Sequence, residues 1–146
     1  MSTMTISSNR RQLLAGSVAL AAVGTSAAAP APTAYKAVFQ VTDADPGKWH
    51  MTLNNVRNAQ AELGAANVVI EIVVYGPGIA MLKGDSDVAA RITEASHAGI
   101  HALACENSMR GFKLTREQMV PQVGYVPSGA AHLIRRQAEG YAYIRP

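Results

Sequence analysis

The sequence predicts a single α/β domain built on one doubly wound, mostly parallel five-stranded sheet with helices on both faces. Three observations carry that expectation. At 146 residues the chain is long enough for one domain and short for two. Strand-like and helix-like segments alternate along its length, the arrangement that places crossover helices between parallel strands. Residues 68–75 form an apolar run broken only by Glu71, as expected of a strand covered on both faces.

The first strand is expected over residues 35–41, rich in β-branched and aromatic side chains, and Asp43-Ala44-Asp45-Pro46-Gly47 breaks it. From 48 to 63 the pattern turns helical, with Leu53, Val56, Ala59 and Leu63 in one arc and Gly64 as the stop. The second strand, 68–75, ends at Gly76-Pro77-Gly78. A short apolar stretch to Leu82 then leads into Asp85-Ser86-Asp87, cap chemistry for a helix with Val88, Ile92 and Ala95 on one face. Gly99 closes it, and residues 100–104 form a third strand that runs into Cys105-Glu106-Asn107-Ser108. Thr115 and Gln118 have capping-box spacing for a short helix limited by Pro121. A fourth strand over 123–126 is followed by a helix opened by Pro127-Ser128. Ala130, Leu133, Ile134 and Gln137 are expected on one side of it, and Arg135, Arg136 and Glu139 on the other. Gly140 stops that helix, and residues 141–144 supply the fifth strand. No internal repeat is visible.

The N-terminus reads as an export signal over residues 1–28. Arg10 and Arg11 precede an apolar stretch of small residues, and Asn9-Arg10-Arg11-Gln12-Leu13-Leu14 resembles a twin-arginine signal. Cleavage is expected near Ala27 or Ala28, followed by a Pro/Ala linker over 29–34 and the domain proper over 35–146. No second apolar run is long enough to span a bilayer, so a periplasmic protein with no membrane attachment after cleavage is expected. The hydrophobic fraction of 49% is that of a folded chain. The formal charge of +3 includes Arg10 and Arg11, and removing a signal with no acidic residue lowers it by two, to +1. No Lys/Arg cluster with interleaved aromatics occurs, so nucleic acid is not an expected partner, and Arg135-Arg136 reads as a solvated helix face.

One cysteine cannot form an intrachain disulfide, so Cys105 is either a small buried hydrophobe or a thiol kept for chemistry. Ligands of open α/β sheets bind outside the carboxyl ends of the strands. That rule gathers residues 42–47, Gly76-Pro77-Gly78, Cys105 to Ser108, and Pro127-Ser128 at one edge. Backbone N–H groups there favour a thiolate, Glu106 opposes it, and Arg110 is the candidate to offset Glu106. His50 and His101 are the candidate bases. The candidate site is therefore Cys105 as the reacting group, with Asn107, Gly76, Gly78, His50 and Asn54 as ligand-binding residues; His50 and Asn54 share a helix face four residues apart. Gly76-Pro77-Gly78 reads either as an anion-accessible backbone or as a sharp turn alone. No phosphate-binding loop, dinucleotide fingerprint or nucleophile elbow is present. Gly99 separates His97 from His101, so no metal pair is expected, and no cofactor. His132 reads as a helix-surface residue, and Trp49 as a packing or subunit-contact residue.

Several separated motifs then occur in a familiar order. They are Lys48-Trp49 with Leu53-Asn54-Asn55 and Asn58; Tyr75-Gly76-Pro77-Gly78; Ala104-Cys105-Glu106-Asn107-Ser108-Met109-Arg110; and Val126-Pro127-Ser128-Gly129 through Gln137-Ala138-Glu139-Gly140-Tyr141-Ala142-Tyr143-Ile144. Together they resemble the DsrE/DsrF-like family over about residues 35–146. The resemblance implies a doubly wound α/β domain that assembles as a homotrimer or hexamer, with the strand-end cysteine near a subunit contact. In the best-understood relatives that cysteine carries sulfane sulfur as a persulfide and hands it to a partner, a role that falls to Cys105 here. Those relay proteins work in the cytoplasm, whereas this chain carries an export signal.

Two functions follow as expectations. One is a periplasmic sulfur carrier or sulfurtransferase-like protein that exchanges sulfur with a donor or acceptor protein through a Cys105 persulfide. The other is an oligomeric module that binds a small ligand or anion without turnover, with Cys105 only part of the wall.

Overall fold

The computed structural model describes residues 35–146; the expected signal and the linker lie outside the described residues. Five strands make one sheet: β1 (Tyr35–Val41), β2 (Val68–Val74), β3 (His101–Cys105), β4 (Gly124–Val126) and β5 (Ala142–Ile144). Every pairing is parallel and the order is β4-β3-β2-β1-β5. All five carboxyl ends therefore lie along one edge. The helices are α1 (Pro46–Leu63), α2 (Ala89–His97), α3 (Glu106–Gly111) and α4 (Gly129–Ala138), with 3-10 helices at Gly76–Leu82 and Arg116–Gln118.

Local chemistry sets the element ends. The Asp45 side chain accepts from Gly47 N–H at 2.8 Å, and Pro46 supplies a ring that suits the first helical position, so α1 begins two residues before its apolar pattern. Ser86 Oγ accepts from Val88 N–H just ahead of α2, and Ser128 caps α4 by accepting from Ala131 N–H. The Thr115–Gln118 capping box is present. The helix the sequence pattern did not show is α3, only six residues long, whose N-cap is Cys105 itself. A single turn is too short to display a 3.6-residue periodicity.

Strand alternation divides the side chains between two faces. Phe39, Ile70, Ile72, Val74, Ala102 and Ala104 point to the face covered by α1 and α2, where they meet Trp49, Leu53, Val56 and Ile92 in the main core. Trp49 is a packing residue, and its indole N–H donates to the Asp43 carbonyl at 2.7 Å. The other face carries Val38 and Val73, packed on Leu133 of α4. Because α4 lies between edge strand β4 and β5 at the opposite edge, the connection that contains it passes over this face from one edge of the sheet to the other.

The buried side of α4 differs from the expected one. Gly129, His132 and Leu133 are buried, Arg136 is half-buried, and Ile134 is 69% exposed. The cause is Glu71, 5% exposed on the same face of the sheet. A carboxylate taken out of water needs ionic and hydrogen-bonding partners. His132 Nε2 lies 2.7 Å from Glu71 Oε2, and the Arg136 guanidinium forks onto both carboxylate oxygens at 2.8–3.1 Å. His132 is thus a buried residue rather than a surface one, and Arg136 is not a solvated charge; Arg135 is exposed as expected.

Candidate functional site

Cys105 closes β3 at the carboxyl edge and is 4% exposed. The chain turns from strand into α3 at this residue, with Cys105 at φ −74°, ψ 114°. The amides of Asn107 and Ser108 follow it in the first turn of α3, and Gly129, the first residue of α4, comes three residues after Val126, which pairs with Cys105 across the sheet; all three amides favour the thiolate. The Ser108 hydroxyl also favours the thiolate, and its Oγ accepts from Gly76 N–H at 2.7 Å.

These groups set the thiol's acidity. Burial pushes the Cys105 pKa up, but the hydrogen bonds from the Ser108 hydroxyl and from the amides of Gly129, Ser108 and Asn107 outweigh it, and the net result is a thiol more acidic than usual. The Asn107 amide is shared, since it also donates to the Pro127 carbonyl at 3.3 Å and so joins α3 to the loop that opens α4. Glu106, whose negative charge would oppose a thiolate, is paired with Arg116; Arg110, expected to play that part, binds the Asn107 side chain instead.

Tyr75 follows β2 and neighbours Cys105 across the sheet, since Val74 pairs with Ala104. Burial raises its hydroxyl pKa, and the charges of Tyr143, Arg145 and Cys105 are close enough to act on it. Its ring lies against Gly129: a Cβ there would come within 2.9 Å of Tyr75 Cδ1. Gly129 is thus a close-approach glycine that lets α4 begin directly beside the thiol.

The structure brings some of the sequence-predicted residues together and separates others. Asn107 and Gly76 belong to the thiol's surroundings, Asn107 by its amide and Gly76 through Ser108. Gly76 has φ +58°, a conformation that favours glycine. Gly78 is a packing position, where a Cβ would be 2.9 Å from the Thr42 carbonyl carbon and the N–H is spent on the Thr42 carbonyl at 2.9 Å. With both amides committed inside the fold, Gly76-Pro77-Gly78 works as a turn rather than as an anion cradle.

His50 and Asn54 do share a helix face, but both are engaged by Arg91 of α2: one guanidinium nitrogen lies 2.9 Å from His50 Nδ1, and the other donates to Asn54 Oδ1 at 2.7 Å. His101 begins β3, four residues from Cys105 and at the other end of the strand, about 13 Å away. Neither histidine is a base in contact with the sulfur. Among the described residues no cluster of three or more His, Cys, Asp or Glu could hold a metal ion, and no helix is long and apolar enough to cross a membrane.

Sequence reasoning missed Ser108, Tyr75 and Gly129 as partners of the thiol. The spacing of Cys105 and Ser108, three apart, is the one sequence signal for Ser108; Tyr75 and Gly129 arrive from other strand ends.

The model of the DsrE/DsrF-like family matches residues 36–146. Among solved structures, the chain is similar to MTH1491 of Methanobacterium thermoautotrophicum, a protein of unknown function, with 36% identity over 77% of this chain and 99% of that one and a TM-score of 0.74. It shares its fold with BT1422 of Bacteroides thetaiotaomicron, at 15% identity, 76% and 94% coverage and a TM-score of 0.58. The ychN protein of E. coli shares it too, at 14% identity, 77% and 99% coverage and a TM-score of 0.60. No curated protein matches the chain.

Proposed function

The chain belongs to the DsrE/DsrF-like family, a sulfur-relay-type domain, and from that premise we propose that it is a periplasmic sulfur carrier that holds sulfane sulfur as a persulfide on Cys105. The observation that carries this reading is the place of Cys105 at the end of β3 and the start of α3, where the Ser108 hydroxyl and the amides of Gly129, Ser108 and Asn107 lower the thiol pKa and neither candidate histidine serves as its base. Fixed donors stabilise a thiolate before attack and a persulfide anion after it, since both place negative charge on sulfur in that pocket.

The chemistry needs no outside oxidant or reductant. The Cys105 thiolate attacks the outer sulfur of a donor R–S–SH; a Sγ–S bond forms, the donor S–S bond breaks, and the leaving R–S⁻ takes the electron pair. An acceptor thiolate then attacks the terminal sulfur of the Cys105 persulfide, and the Cys105 thiolate leaves. The donor and acceptor are sulfur-carrying partners, and export through residues 1–28 puts both in the periplasm.

A homotrimer or hexamer is part of the same reading. Ile134 at 69% exposure and Tyr143 at 41% are apolar surface that a further copy would cover.

The test is intact mass of wild type and Cys105→Ala before and after polysulfide treatment, then after a reductant. A reversible gain of about 32 Da that depends on Cys105 is expected. Its absence in wild type overturns the reading and favours the second one, a binding module in which Cys105 is part of a wall. The observation favouring that module is the 4% exposure of Cys105; it requires a thiol slow toward alkylating reagents.

A further inference from the structure

The structure assigns Glu71, His132 and Arg136 a positioning role: together they clamp α4 to β2, and the clamp fixes the start of α4 beside Cys105, whose strand end pairs with Val126 and whose following helix is tied to Pro127 by the Asn107 amide. The inference rests on Cys105 being the working thiol, and it concerns residues in the middle of the sheet rather than at its carboxyl edge.

The geometry starts from β2. Glu71 and Tyr75 are four residues apart on the same face of that strand, so about 13 Å separates the two positions. α4 spans them. Its first residue, Gly129, lies against the Tyr75 ring, and one and two turns further on His132 and Arg136 bind Glu71. A helix held at only one of these points can tilt or slide; held at both, its register on the sheet is set.

The fork from Arg136 and the 2.7 Å contact from His132 use both oxygens of a carboxylate that is almost fully buried, so this end of the clamp is strongly directional. At the other end, Tyr75 blocks closer approach of Gly129 and the Ser128 cap starts the helix there. Leu133 packed on Val38 and Val73 joins the two ends but is apolar and tolerates sliding. The ion pair therefore supplies the directional part of the hold on α4, and with it the register in which the helix starts beside Cys105.

The other charged groups near the two ends are identifiable. Glu139 binds Arg136 at 2.6 Å from its solvent side, and Tyr141 lies under the Arg136 guanidinium at 5.1 Å. At the thiol end stand Glu106 paired with Arg116, Arg110 on Asn107, and Tyr75 with Arg145 in its neighbourhood. Of these, only Tyr75 touches the clamped helix, through Gly129.

The experiment measures the rate of Cys105 alkylation by iodoacetamide against pH, together with thermal melting, in the full chain for wild type, Glu71→Gln, His132→Gln and Arg135→Gln. Glu71→Gln and His132→Gln are expected to raise the thiol's titration midpoint and slow alkylation at neutral pH roughly three- to tenfold, up to one pH unit in the midpoint. Arg135→Gln, an exposed charge on the same helix outside the clamp, leaves both unchanged. If the first two variants melt at lower temperature but keep the wild-type midpoint, the clamp is structural only and the inference is overturned. Should Glu71→Gln not fold, His132→Gln decides, because it removes the imidazole contact while Glu71 keeps its Arg136 fork. Absence of a persulfide in wild type would sink the proposed function without moving this readout, so the two failures are told apart.

Discussion

At Cys105 the balance between burial and hydrogen bonding is close. A thiol with 4% of its surface exposed is ordinarily harder to ionise, and here three amides and the Ser108 hydroxyl reverse that tendency. Ser108→Ala removes the hydroxyl proton and leaves the Gly76 amide without its acceptor. The alkylation midpoint is expected to rise, with a roughly tenfold loss of rate at neutral pH, about the value of one hydrogen bond to a charged group; an unchanged profile would remove Ser108 from the site. The sign of the pH linkage follows from the direction of the shift. A thiol pKa depressed by folding contributes stability above the ordinary thiol pKa, lost as pH falls through the lower folded value. Wild type should therefore gain stability over Cys105→Ala on passing to alkaline pH, as chemical denaturation at several pH values would show. Cys105 itself was legible in the sequence because it is the lone cysteine at a strand end. Ser108 was close by, yet its role depends on the Gly76 amide, which comes from another strand.

The crossing helix α4 and the turn after β2 are the elements on which the site depends. Glu71 remains below the ordinary carboxylate range: burial pushes its pKa up, and the hydrogen bonds and charges of Arg136 and His132 more than compensate. A depressed carboxylate contributes stability above its ordinary pKa, lost as pH falls through the folded value. Glu71→Gln is expected to cost about 3 kcal/mol at neutral pH, where it leaves the buried partners without their counter-charge, and to flatten the acid limb of the stability profile. A Glu71→Gln profile that parallels wild type as pH falls from neutral through the ordinary carboxylate pKa and on toward the lower folded one would contradict this. At the turn, Gly78→Ala sets a Cβ 2.9–3.1 Å from Thr42 and Val41 backbone atoms, which cannot yield as a flexible side chain would. A loss of about 1–3 kcal/mol in denaturant unfolding is expected, whereas Gly111→Ala, with nothing within 4 Å of its Cβ, should be close to neutral. The apolar run of β2 and the arc of α1 were readable because each repeats long enough to show its period. The buried side of α4 was not. Its orientation answers to Glu71, 61 residues from His132 in the chain.

For the whole molecule, the parallel order β4-β3-β2-β1-β5 brings five strand ends to one edge, and with them Asp43, Tyr75, Cys105, Ser128 and Arg145 from five separate stretches of sequence. The proposed assembly is tested by sedimentation of the mature chain: a trimer or hexamer is expected, and a monomer at micromolar concentration would overturn it. Export is tested by the intact mass of protein recovered from the periplasm of a host with a twin-arginine pathway. Loss of the first 27 or 28 residues is expected, and an intact N-terminus in the cytoplasm would count against it.

By itself the sequence determined the fold class, the order of the strands and of every helix but α3, the helix stops at Gly64 and Gly140 and the place of the only cysteine at a strand end, because each follows from local periodicity, capping and turn chemistry. Tertiary structure alone decided which helices cover which face, that Arg116 rather than Arg110 neutralises Glu106, that His50 and Asn54 face Arg91, and that His132 and Arg136 turn inward. Those outcomes depend on pairings between residues far apart in the chain. The cost of leaving a buried charge or amide unpaired selects among them only once the sheet has brought the candidates together.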